Sequence, residues 1–192
     1  PLAERPVRAE IEERVDAAGN VLQELDLSPI DDIVSEFKKQ DVQSVGICLL
    51  HAYRNAAHEV AIRDRLADIA PEISVSLSSI VSAEMGEYER SSTTVADAYV
   101  HPIFKRYIQR LVAALEDMGI SRDLLLVLSD GRTVTHDTAV QFPIRLVQSG
   151  PAAGAQAAVL YGGLSGVGDL LCFDMGGTTA KACLIEEGEP QR

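Results

Sequence analysis

Nine residues, Val42–Leu50 (VQSVGICLL), carry no charge and have the length and composition of a buried strand. Asn55 then stands in position to cap a helix whose Ile62, Leu66 and Ile69 fall on one face before Pro71 stops it. Ile73, Val75 and Leu77 alternate with serines, the pattern of a half-buried strand. A strand, a helix and a second strand in direct succession commit the chain to α/β layering. The sheet is expected to be largely parallel, with hairpins at its edges.

The rest of the chain keeps this alternation. Residues 7–15 and 21–25 flank Asp16–Asn20, where Gly19 and Asn20 favour a hairpin turn. Ser28 and Pro29 form an N-cap and first helical position, opening a helix to about Lys39. A long helical segment spans Ser91–Met118 with Pro102 inside it, as a kink or a second start. Its apolar stripe is Ile103, Tyr107, Ile108, Leu111, Leu115 and Met118. A buried strand at Leu124–Leu128, a short helix at Asp137–Val140 and a strand at Ile144–Val147 follow. Pro151 opens an Ala-rich helix to about Tyr161, and a glycine-laden loop covers 162–168. Strands at Asp169–Phe173 and Lys181–Glu186 enclose a turn at Met175–Ala180. Two lobes are expected, residues 1–161 and 169–192.

Charge narrows the function classes. Of 192 residues, 17 are Lys or Arg and 29 are Asp or Glu, a net charge of −12 that repels nucleic acid and anionic lipid. No apolar run approaches the roughly 20 residues of a membrane-spanning helix. Neither a nucleic acid nor a membrane partner is expected. Cys48, Cys172 and Cys183 are too scattered for a disulfide framework or a zinc site, which points to reduced thiols in a cytoplasmic protein. Both ends read as cut from a longer chain: Pro1 is no initiator, and the sequence stops just after a strand.

Leu171-Cys-Phe-Asp-Met-Gly-Gly-Thr-Thr-Ala180 carries the strongest chemistry. An apolar strand delivers Asp174 to a turn of Gly176, Gly177, Thr178 and Thr179, and the chain returns as a strand. Successive N–H groups and two hydroxyls suit a phosphate, and a strand-end carboxylate suits Mg2+. The alternative is a plain hairpin with a glycine-rich turn. A hairpin centred between Gly177 and Thr178 would set Asp174 opposite Lys181 and Cys172 opposite Cys183. Lys181 is then either an ion-pair partner of Asp174 or a cation for the same phosphate, and the pair is slightly favoured.

Two further segments are candidates. Ser149 and Gly150 begin a helix whose N-terminus suits an anion, although the small residues Ala152–Gly154 suit close packing equally. Glu84–Thr94 gathers three carboxylates, Arg90 and four hydroxyls, the makings of a polar substrate pocket or of a helix cap. The four histidines lack metal-ligand spacing, and no nucleophile elbow or dinucleotide fingerprint occurs.

Taken in order, Val42–His51 with Asn55-Ala-Ala-His58-Glu59, Glu87-Tyr-Glu-Arg-Ser-Ser-Thr-Thr-Val95, Ala98-Tyr-Val-His-Pro102, Ser149–Gly154 and Phe173–Thr179 resemble the hydantoinase/oxoprolinase family. The resemblance is to its A-type, ATP-using subunit (N-methylhydantoinase A), and it runs over nearly the whole chain. It implies the two ribonuclease-H-like lobes of actin, sugar kinases and heat-shock ATPases, with ATP and Mg2+ in the cleft. It implies Gly176, Gly177, Thr178 and Thr179 at phosphate and Asp174 near the metal. From the residues themselves, Asp174 and Arg90 are the catalytic candidates and Ser149-Gly150 is a further candidate anion site. The implied activity is ring opening of a hydantoin or 5-oxoproline through carbonyl phosphorylation, with a B-type partner subunit. A ketone carboxylase subunit and a non-catalytic nucleotide-sensing module are the alternatives. Many relatives carry Asp where Lys181 stands. The family's first phosphate loop is missing from this sequence, so this stretch alone is expected to bind ATP weakly and catalyse nothing.

Overall fold

The computed structural model describes residues 3–191. It forms two compact units that divide between Tyr107 and Ile108.

The first unit is built on a parallel pair. β3 (Ser44–Ile47) and β4 (Ser74–Leu77) run in register from Ser44↔Ser74 to Ile47↔Leu77, joined by α2 (Ala57–Ile69). Against one face pack α1 (Ile30–Lys39) and α2, closing a core of Ile30, Val34, Ile47, Ile62, Leu66, Ala70, Ile73 and Leu77. Alternation puts Ser44, Gly46, Ser74 and Ser76 on the other face. β4 runs into the one-turn helix α3 (Ser78–Val81), and beyond it the polar face meets α4 (Glu87–Asp117). The Ser44 hydroxyl donates to the Ala98 carbonyl, and the Ser76 hydroxyl donates to Asp97 at 2.7 Å. A Cβ built on Gly46 would already lie 3.5 Å from Thr94.

Strand β4 is therefore not half-buried as its alternation suggests, since Ser76 is 5% exposed. A polar strand face turned to water and one turned to a polar helix face have the same period. α4 is likewise a single helix that begins at Glu87 and runs through Pro102. The hydroxyls of Ser91 and Thr94 donate back to the carbonyls of Glu87 and Arg90, so they are interior residues rather than caps. Of the expected stripe, Ile108 is buried, while Ile103, Tyr107 and Met118 are exposed.

At the start of the chain the hairpin shrinks to β1 (Arg14–Val15) and β2 (Val21–Gln23). Asp16 holds the turn by accepting from the Ala18 and Asn20 N–H groups and the Asn20 side chain, which keeps its carboxyl below the usual range. Ser28 turns its hydroxyl to Asp26, leaving Pro29 at the cap position of α1. Glu13 fastens this segment to α2 through His58 Nδ1 at 2.8 Å, with side-chain exposures of only 5% and 9%.

In the second unit, β5 (Leu125–Val127) pairs antiparallel with β6 (Thr133–Thr135), a strand the sequence analysis does not contain. α5 (His136–Gln141) follows. Pro143–Leu146 is a turn of 3-10 helix rather than a strand, because proline presets the backbone and donates no N–H. α6 (Ser149–Ser165) continues past Tyr161, which reduces the expected 162–168 loop to residues 166–169. Gly162 makes this possible, since a Cβ there would lie 2.6 Å from a Leu170 methyl and 2.8 Å from the Val167 carbonyl oxygen. Gly166, at φ 70°, ends the helix in the left-handed backbone that favours glycine. β7 (Leu170–Met175), β8 (Ala180–Glu186) and β9 (Glu189–Pro190) complete an antiparallel sheet. Its Ile185 is fully buried, while Leu171, Phe173 and Met175 alternate onto an exposed face. Among the described residues no helix is long and apolar enough to cross a membrane.

The Glu13–His58 contact predicts a stability effect. Replacing His58 by Ala leaves the Glu13 carboxylate enclosed without its partner and should destabilise the protein by about 1–3 kcal/mol in urea unfolding. The Glu13→Ala, His58→Ala double variant should lose less than the sum of the single losses. Strict additivity would mean the contact contributes nothing.

Candidate functional site

The β7–β8 hairpin has the expected register, with Asp174 opposite Lys181 and Cys172 opposite Cys183. The favoured ion pair between Asp174 and Lys181 does not form: among the described residues neither side chain has a salt-bridge partner. Gly176 N–H donates to the Thr179 carbonyl at 3.0 Å and closes the turn. The Gly176 donor is therefore occupied. The next three, on Gly177, Thr178 and Thr179, have no acceptor among the described residues, and neither do the two threonine hydroxyls.

Neither Gly176 nor Gly177 lies in the left-handed region, and a Cβ built on either meets nothing within 4 Å. Neither backbone conformation nor packing within the described residues requires glycine at these positions. What the two glycines leave is open space in front of a run of free N–H groups. That geometry fits a phosphate. The Asp174 carboxylate, exposed at the strand end, fits a Mg2+ ion that is otherwise held by phosphate oxygens and water. No group of three metal-ligating side chains occurs among the described residues.

Ser149 and Gly150 form the first turn of α6. Gln148 precedes them with φ 69° and gives no side-chain cap, so the first-turn N–H groups of the helix have no cap from that residue. Ala152–Gly154 are half-buried, which serves the packing alternative as well.

Arg90 lies in the first unit, 2% exposed, and its donors are engaged by its own chain. Nε donates to the Ser78 hydroxyl at 3.2 Å, Nη1 to the Glu84 carbonyl at 2.9 Å, and Nη2 to the Leu49 carbonyl at 3.1 Å. Its guanidinium carbon sits 5.4 Å from the centre of the Tyr53 ring. The partner that completes this arrangement is Glu59, fully buried in the first turn of α2. It accepts from Leu49 N–H at 3.0 Å, the Ser78 hydroxyl at 2.6 Å and Ser79 N–H at 2.9 Å. Neither Glu59 nor Ser78 stands out as a site residue in the sequence.

Two family models describe this chain: hydantoinase/oxoprolinase over residues 90–192, and the hydantoinase/oxoprolinase N-terminal region over residues 1–70. The chain belongs to the hydantoinase/oxoprolinase family. It is 29% identical to the caprolactamase α subunit of Pseudomonas jessenii, over 97% of this chain and 27% of that protein. It is 31% identical to the 5-oxoprolinase of Saccharomyces cerevisiae, over 88% of this chain and 13% of that one. The crystal structure of the ATP-dependent caprolactamase superposes with a TM-score of 0.80 at 28% identity, covering 91% of this chain and 25% of that chain. The nucleotide-free structure of acetone carboxylase, an enzyme of ATP-dependent acetone carboxylation, superposes with a TM-score of 0.78 at 25% identity, covering 93% and 26%. The α/β fold is of the actin-like ATPase type. The chain spans about a quarter of the caprolactamase subunit and less of the oxoprolinase.

Within the hydantoinase/oxoprolinase chain, two of the segments that carry the family resemblance meet in the first unit. Glu59 of the His58-Glu59 pair grips the end of Val42–His51, and Arg90 of the Glu87–Val95 segment grips the same Leu49 from its carbonyl side. The signal that would have exposed Glu59 is this pairing of motifs. In one sequence, an acidic residue in a first helical turn is explained by the helix dipole alone.

Cys48 adjoins this group. Part of the residue is open to solvent, but burial of its sulfur among protein atoms and the Glu59 carboxylate push the thiol up to about 11. Thiolate is then nearly absent at pH 8 and forms only as the pH approaches 11. With Cys48 as the sole thiol, iodoacetamide labelling should be slow at pH 8 and rise toward pH 11, and Glu59→Gln should move that rise to lower pH. A rise centred near the ordinary value of about 8.5 would contradict this environment.

Proposed function

We propose that this chain is part of an ATP-dependent cyclic amide hydrolase, with the β7–β8 hairpin as a phosphate- and metal-holding element. The observation that carries the reading is the run of free N–H groups at Gly177, Thr178 and Thr179, with open space before the glycines and Asp174 at the strand end. Family membership and the ATP-dependent caprolactamase relative support the choice of ATP.

A cyclic amide resists water because its carbonyl is stabilised by the adjacent nitrogen. ATP would supply a phosphoryl group to the carbonyl oxygen, leaving the carbon open to water. Such transfer requires positioning and charge neutralisation more than covalent participation by the protein. The N–H groups of Gly177, Thr178 and Thr179 would receive phosphate oxygens, and the two hydroxyls would add donors. Asp174 would hold Mg2+, and the Lys181 ammonium, free of Asp174 and opposite it in register, would reach the same phosphate. The Ser149-Gly150 helix start is proposed as a second anion-holding element of the same unit. The lobes 1–161 and 169–192 are proposed as parts of the two halves that would enclose the nucleotide. A B-type partner subunit is proposed as well, since the caprolactamase relative is itself an α subunit.

A second reading is the ATP-dependent ketone carboxylase, supported by the similarity to acetone carboxylase. Both reactions activate a carbonyl at the expense of ATP, and the hairpin serves either.

ADP release by the whole protein with its partner subunit, in the presence of hydantoin, 5-oxoproline, or acetone with bicarbonate, tests the reading. Amide-dependent release that falls by about a hundredfold or more in Asp174→Asn is expected for a lost metal ligand. Release that requires acetone and bicarbonate would select the carboxylase instead. Release that is unchanged in Asp174→Asn would remove the hairpin from the site. Gly177→Ala should fold with unchanged melting temperature, because its Cβ enters open space, yet bind ATP at least about tenfold more weakly.

A further inference from the structure

The pairing of β7 with β8 sets Cys172 directly opposite Cys183, so the two side chains share a face of the sheet. The same face carries Leu170 and Ile185 at one end and Asp174 and Lys181 at the other. Enclosure falls along it: Ile185 is fully buried, the two thiols are half-buried, and Asp174 is exposed. The cysteines therefore stand between the core of the second unit and the phosphate turn. Both are free thiols. Opposite residues of an antiparallel pair hold their Cα atoms about 4.5–5.5 Å apart, inside the roughly 4.4–6.8 Å that a disulfide spans. The Cys183 thiol lies against two carbonyls, Leu184 at 3.6 Å and Gln191 at 3.9 Å. A thiol is a weak donor, so a turn about χ1 frees it to face Cys172.

Closing such a bond would act on the site. Facing Cβ atoms of neighbouring strands lie about 4.5–5.5 Å apart, whereas a disulfide holds them at about 3.5–4.5 Å. Oxidation thus draws the strands together by about 1 Å at Cys172 and Cys183. The next pair on this face is Asp174 and Lys181, which form no ion pair among the described residues. Brought closer, carboxylate and ammonium neutralise each other and are withdrawn from metal and phosphate. Cys48 does not share this chemistry, since burial and the Glu59 carboxylate keep its thiol protonated.

We propose that Cys172 and Cys183 are a reversible disulfide site, and that the bond, once formed, releases nucleotide from the β7–β8 hairpin. The first half stands on the register alone, and the second rests on the phosphate-hairpin reading above. The oxidant is a peroxide. One sulfur, as thiolate, attacks a peroxide oxygen; the O–O bond breaks, and a sulfenic acid forms with release of hydroxide. The second sulfur gives up its proton and attacks the sulfenic sulfur, making the S–S bond and expelling a second hydroxide. With the two protons returned, two thiols and one hydrogen peroxide become one disulfide and two waters. A dithiol reductant gives back two electrons and two protons and reopens the pair.

Trypsin cuts after Arg145 and Lys181, so Cys172 and Cys183 fall in separate peptides, 146–181 and 182–192. Whole protein treated with hydrogen peroxide, blocked with N-ethylmaleimide and digested without reductant should yield these two peptides as one linked species in mass spectrometry. Dithiothreitol before blocking should abolish that species, as should Cys172→Ser or Cys183→Ser. Affinity for ATP, measured with Mg2+ on the same samples, should fall about fivefold or more on oxidation and recover on reduction. In the double variant Cys172→Ser, Cys183→Ser it should be indifferent to peroxide. Recovery of 146–181 and 182–192 only as separate peptides after peroxide would overturn the disulfide. A linked species with unchanged ATP affinity would contradict the release and leave the hairpin reading intact. Absence of ATP binding by the reduced, unaltered protein would remove the hairpin reading and the release with it, while the linked species would still decide the disulfide.

Discussion

A carboxylate taken out of water must find donors, and Glu59, with no exposed surface, finds three within 3.0 Å. That requirement organises the first unit. It sets the exit of β3 at Leu49, the junction of β4 with the helical turn at Ser78, and, through Ser78, the placement of Arg90 near the start of α4. Loss of any one partner would strand a buried charge, so three segments far apart in sequence are bound to one geometry.

The packing of α4 follows the same logic at lower charge. Ser44, Gly46 and Ser76 offer small or hydroxyl-bearing side chains, so the helix approaches closely and its Thr94 and Asp97 are enclosed. One strand face is closed by aliphatic residues and the other by a polar helix surface. This is the three-layer arrangement of an α/β unit with an unusually polar second interface. The second unit differs: among the described residues, its hairpin leaves the N–H groups of Gly177, Thr178 and Thr179 without acceptors, on exposed positions.

Much of this was legible in the residues. β3, α2 and β4 follow from an uncharged run, an Asn start and a Pro stop, and each lies where those signals put it. The hairpin register was fixed by the centre of Gly-Gly-Thr-Thr alone. Periodicity was blind to partners. The serines of β4 looked solvent-facing because alternation says nothing about what covers the polar side. β6 is three residues long, too short to register as a period, and Ile144–Val147 looked like a strand until Pro143 tightened it into a 3-10 turn. Arg90 stood out in the sequence, but its partner Glu59 is 31 residues away, and only the fold joins them through Ser78.

Hydrogen exchange read by mass spectrometry, with and without Mg2+ and ATP on the whole protein, tests the central claim most directly. If the hairpin holds the nucleotide, the amides of Gly177, Thr178 and Thr179 lose their access to solvent. The peptide spanning 171–184 should then gain protection that disappears in Thr178→Val, Thr179→Val protein. Protection elsewhere in the chain with none across 171–184 would contradict the account.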